Sequence, residues 1–72
     1  MQPFMHEMGV PLALNIPEDE AVSEALAGAA DACAVQGTVM DETSVTTEII
    51  RTEFAALAGE YIVRVRGYRR PA

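Results

Sequence analysis

Cys33 is the only cysteine in a chain of 72 residues, and this narrows the folds open to it. One thiol closes no intrachain disulfide and cannot build a cysteine-rich zinc site, two common staples of very short domains. Stability must then come from apolar burial, yet a domain of this size buries only about 60% of the surface its unfolded chain exposes. Val, Ile, Leu and Phe supply 17 of the 72 residues, above the roughly one-fifth below which strongly charged chains stay disordered. The chain is expected to fold as one small domain that a partner or further copies help to complete.

The pattern of apolar residues predicts an α+β fold. Residues 1–8 (MQPFMHEM) show no clean period and read as a flexible N-terminal arm, with the domain spanning 9–70. Val10, Leu12, Leu14 and Ile16 alternate as in a strand, and Pro11 places that strand at an edge. A helix is predicted over 16–32. Asn15 and Glu18 have capping-box spacing, and Pro17 suits the first turn. Val22, Leu26, Ala29 and Cys33, widened by Ala25, form its apolar stripe.

Residues 33–41 read as a second strand in which Gly37 marks a bulge or a close backbone approach, and Asp41 to Ser44 as a turn. Val45 to Thr52 is rich in β-branched residues and reads as a strand, followed by a helical turn or irregular link to Gly59. In the final strand, 60–68, Tyr61, Val63 and Val65 point one way and Ile62, Arg64 and Arg66 the other. The predicted order is β-α-β-β-β, one helix on a mostly antiparallel sheet, with β-α-β-α-β as the alternative.

Charge is sharply segregated. All eleven acids and only Arg51 lie in residues 1–60, whereas Arg64, Arg66, Arg69 and Arg70 fall in 61–72 with no acid. Such asymmetry suits an electrostatic partner or head-to-tail association. The acidic body would repel phosphate, so nucleic acid is not expected as the main partner. There is no lysine, and twelve alanines accompany the arginines, a bias typical of GC-rich bacteria and their phages. No signal-peptide pattern and no apolar run of membrane-spanning length is present, so a cytoplasmic protein is expected.

Few residues offer chemistry. His6 is the sole histidine and sits in the expected arm, so neither a triad with Ser23 or Ser44 nor a metal site is expected. Cys33 ends the helix on its apolar face and reads as a buried structural residue. The distinctive feature is the carboxylate set Glu18, Asp19, Glu20, Glu24 and Asp31, which has no Lys or Arg within the helix to pair with. It reads either as a solvated face or as an array that engages a basic protein surface, imitating phosphate charge. Arg64, Arg66, Tyr68, Arg69 and Arg70 form a second set. They could pair with Glu48 and Glu53 across the sheet, meet another subunit, or touch nucleic acid.

Three partial resemblances accompany this reading. The helix followed by Val35-Gln36-Gly37-Thr38-Val39-Met40 resembles the helix-to-strand step of small phage proteins, including certain anti-CRISPR inhibitors, which implies a protein that blocks an effector's access to nucleic acid. The segment TTEIIRTEFAALAGEYIVRVRGYRRPA is similar to the helix-then-strand ending of prevent-host-death antitoxins. Size and element order resemble the dodecin oligomers, although the chain has no Trp, the residue that stacks flavin in that family. The expectation is a small, acidic, non-catalytic inhibitor or regulator without cofactor or metal. The alternatives are a structural or ligand-holding homo-oligomer and an antitoxin-type DNA-binding regulator.

Overall fold

Strand β4 (Glu60–Pro71) organises the chain. In the computed structural model, which describes residues 1–72, each of the other strands pairs with β4 and with no other strand. β1 (Gln2–Pro11) runs antiparallel along one side, with Pro11 opposite Glu60 and Gln2 opposite Arg69. The other side is shared end to end by β3 (Thr46–Ile50) and β2 (Thr38–Met40). Helix α1 (Glu18–Val35) lies between β1 and β2 in sequence, and the short helix α2 (Glu53–Leu57) lies in the β3–β4 link. This is the predicted α+β domain, of order β-α-β-β-β once α2 is counted as part of that link. Twelve extended residues reach about 40 Å, so β4 defines the long axis of a molecule measuring 38 × 20 × 20 Å.

The core is one layer deep. Val10, Tyr61, Val63 and Val65 are buried on the face of the sheet that α1 covers, and the helix meets them with Ala21, Ala25 and Ala29. Cys33 continues that line of the helix and is also buried. A four-residue spacing keeps all four on one stripe, and their small side chains let the helix lie close to the strands. The predicted stripe was shifted: Val22 and Leu26 are only half-buried, and Leu26 lines a cleft with Met40 and Val45. No strand residue on the opposite face of the sheet is buried. Only nine of the 72 residues are buried, so each core side chain carries a large share of the stability.

The N-terminal residues are not a free arm. Residues 2–8 form most of β1, and Phe4, His6, Met8 and Val10 alternate toward α1 while Met5, Glu7 and Gly9 face away. The strand stops at Pro11. Leu12–Leu14 form a 3-10 turn instead of continuing to Ile16, and Asn15 closes that turn at φ 50. Asn15 is thus spent on the turn, and α1 starts from Pro17 with no side-chain cap. The helix also runs past residue 32 to Val35. Gly37 at φ +72 reverses the chain after it, so its glycine serves a turn and not a bulge in mid-strand. The second strand shrinks accordingly to Thr38–Met40.

The remainder follows the sequence reading closely. The Asp41 carboxylate accepts the Thr43 N–H at 3.2 Å and the Thr43 hydroxyl at 2.8 Å, fixing the expected turn. Five residues, Asp41 to Val45, stand against only Gly67 and Tyr68 of β4, which breaks that side into two strands. β3 and then α2 occupy 46–57. Thr52 caps α2 by accepting the Ala55 N–H at 3.1 Å, and Gly59 at φ +74 ends the link.

Candidate functional site

Two charged surfaces lie on opposite sides of the sheet. On the helix side the five candidate carboxylates do not act as one face. Glu18 turns to Arg51, with Oε2 at 2.5 Å from a guanidinium nitrogen. The same Arg51 guanidinium lies 4.6 Å from the centre of the Tyr61 ring. At 100° per residue, Glu20, Glu24 and Asp31 share one stripe, whereas Asp19 falls on the opposite flank. None of Asp19, Glu20, Glu24 and Asp31 has a cationic partner, and all four are exposed. Gly28, which lies against His6 of β1, falls beside the Glu24–Asp31 stripe and places it on the β1 side of the helix.

The open face of the sheet carries the arginines. Glu7, Arg64 and Glu48 stand directly opposite one another on β1, β4 and β3. Arg64 Nε donates to Glu7 Oε2 at 2.8 Å, and Nη1 donates to Glu48 Oε1 at 3.4 Å. The hydrogen bond that Arg64 donates to Glu7 raises its pKa above the ordinary value, against opposing desolvation, with the charges of Glu7 and Glu48 adding to the rise. Arg66 Nε lies 3.7 Å from the same Glu48 oxygen. Tyr68 and Arg70 follow on this face, both exposed, and Arg70 has no ion pair. Arg69 points the other way, donates to the Gln36 side chain, and holds Nε buried without an acceptor.

The sequence reading therefore found one acid of this network and missed another. Glu48 pairs with Arg64 and Arg66 as anticipated, but Glu53 does not. Glu7 is the closest partner of Arg64, and it lay in the segment read as an arm. The period-two run Phe4, His6, Met8, Val10 was the available signal. His6 is likewise half-buried beneath α1 instead of solvated in an arm.

Cys33 is buried beneath the end of α1, and its carbonyl accepts the Thr38 hydroxyl at 2.7 Å. No three His, Cys, Asp or Glu side chains converge on a point where a metal ion would sit. No helix is long and apolar enough to cross a membrane. No known protein family, characterised protein or solved structure matches the chain.

Proposed function

We propose that this protein is a small binding protein without chemistry of its own, an inhibitor or regulator that sets the carboxylates of α1 against a basic, nucleic-acid-binding protein surface. The reading extends to a phage-encoded inhibitor of the anti-CRISPR type. One observation carries it. Arg51, Arg64 and Arg66 are held by acids of this chain, whereas Glu20, Glu24 and Asp31 keep their charge unmatched. At 1.5 Å per residue these three carboxylates are spaced by about 6 and about 10 Å along the helix. A partner with lysines or arginines along a nucleic-acid groove meets there a row of negative charge on a rigid rod. Such complementarity speeds encounter and selects the partner more than it adds affinity.

The DNA-binding alternative is weaker for the same reason. Two of the four C-terminal arginines are engaged by Glu7 and Glu48, leaving few free cations for phosphate. The test is the triple variant Glu20→Gln, Glu24→Gln, Asp31→Asn, compared with the wild type for complex formation at ~50 mM and ~500 mM salt. Weaker binding at low salt, and a smaller salt dependence, are expected. Unchanged affinity for the partner would remove the proposal.

A further inference from the structure

The two ends of the molecule differ in charge and are alike in exposing apolar side chains. Position along β4 fixes which residues share an end. At its start lie the turn Leu12–Leu14, helix α2 and the first turn of α1, tied together by Leu12 N–H donating to the Gly59 carbonyl at 2.8 Å and by the Arg51–Glu18 pair. Phe54 and Leu57 there are 87% and 86% exposed, and Leu12 and Leu14 are exposed beside them. Glu53, Glu60, Asp19 and Glu20 surround this end, and its one arginine is already paired with Glu18.

At the other end lie β2, the close of β4 and the C-terminus of α1. Val35 is 88% exposed there, with Val39, Tyr68 and Met1 also exposed. Arg69 and Arg70 open onto a cleft of about 400 Å³ bordered by Gln2, Gly37 and Thr38, and no acid lines it. Of the nine exposed large apolar residues, only Met5 lies away from the two ends. Single exposed apolar side chains are ordinary, but sets of four rimmed by opposite charges are the composition of an interface.

We infer that these two ends are the halves of one heterologous contact, in which the Phe54–Leu57 end of one copy docks on the Arg69–Arg70 end of the next. Of the partner surface proposed above, this contact shares only Glu20 and leaves Glu24 and Asp31 free. An isologous contact at either end would set like charges face to face, whereas head-to-tail stacking opposes acids to arginines and apolar to apolar. An end of 20 × 20 Å limits the contact to about 800 Å² in total, below the ~1,200–2,000 Å² of stable interfaces. Association is therefore weak, concentration-dependent and loosened by salt. Whether it closes as a ring or extends as a chain depends on the rotation between copies.

Two variants test this without touching the core. One carries Phe54→Ser and Leu57→Ser, the other Val35→Ser and Arg70→Glu, all at exposed positions. Light scattering is followed up to ~1 mM protein, the range of weak contacts, at ~50 mM and ~500 mM salt. The wild type is expected to more than double its mean mass at low salt and to lose most of that gain at high salt. Each variant alone stays monomeric. An equimolar mixture forms a 1:1 heterodimer and nothing larger, because only one intact end of each kind remains. A wild type that stays monomeric throughout overturns the inference. So does either variant that still self-associates, or a mixture that stays monomeric.

Discussion

The imidazole of His6 rests against the backbone of Gly28, so closely that a Cβ built on Gly28 would lie 2.9 Å from Nε2. Strand β1 and helix α1 meet there because one side supplies a ring and the other supplies no side chain.

Substitution of Gly28 by Ala should therefore depend on what stands at position 6. Ala is favoured over Gly inside a helix by about 1 kcal/mol, but here its methyl displaces the ring. Gly28→Ala is expected to stabilise the protein in a His6→Ala background and to destabilise it when His6 is present. Urea unfolding of the four proteins measures the coupling, on the order of 1 kcal/mol. Purely additive effects would mean that the ring does not rest on the helix.

Val63 is fully buried at the centre of β4, whereas Phe54 is nearly bare. Val63→Ala removes two methyl-sized groups and leaves a cavity, a loss of about 2 kcal/mol. Domains below 80 residues hold only about 3–5 kcal/mol in all. The urea midpoint should fall by about half for Val63→Ala and scarcely move for Phe54→Ser, although Phe is the larger residue.

Deleting residues 1–7 should unfold the protein. Met8 could serve as an alternative initiator, but a chain begun there keeps only the last four residues of β1 and loses Phe4, His6 and the Glu7–Arg64 bond. Far-ultraviolet circular dichroism of the shortened chain is expected to show loss of both strand and helix. A native spectrum would restore the view of these residues as an arm.

The raised pKa of Arg64 gives a prediction by sign. A cation whose pKa is higher in the folded state stabilises the fold at every pH below its unfolded value, and the effect fades only in strong alkali. Replacing Arg64 with Met should therefore lower the thermal midpoint without making its decline from pH 6 to pH 9 any steeper. The loss should shrink at ~500 mM salt, because the Glu7 and Glu48 contacts are exposed and screened. A loss independent of salt would point to packing of the arginine stem instead.

Sequence alone located the interior of the fold better than its margins. In β4, Tyr61, Val63 and Val65 alternate with polar neighbours, and a period-two pattern specifies a face wherever one face is buried. The α1 helix was visible from its alanines and acidic start, but its ends were not. Asn15 had a cap's identity and spacing, and a local turn claimed it. Leu12 and Leu14 looked like core and instead extend into solvent, because Asn15 at φ 50 turns the chain away from β4. For β1, the polar and flexible character of Gln2, His6, Glu7 and three methionines hid an alternation that the pairing with β4 later uses. The unpaired acids of α1 were legible as a list but not as a geometry: Glu18 is held by an arginine 33 residues away, which no local pattern announces.

Every strand pairs with β4 and with no other, so the order of synthesis matters. When the ribosome has made residues 1–59, three strands exist and none has a neighbour to bond with. Up to that point α1 can form, but the alanine stripe has no sheet to lie on. Assembly waits for β4 to emerge and then proceeds through contacts distant in sequence, which close more slowly than local ones. Until β4 leaves the exit tunnel the nascent chain carries its β segments unpaired, and folding begins in earnest only then.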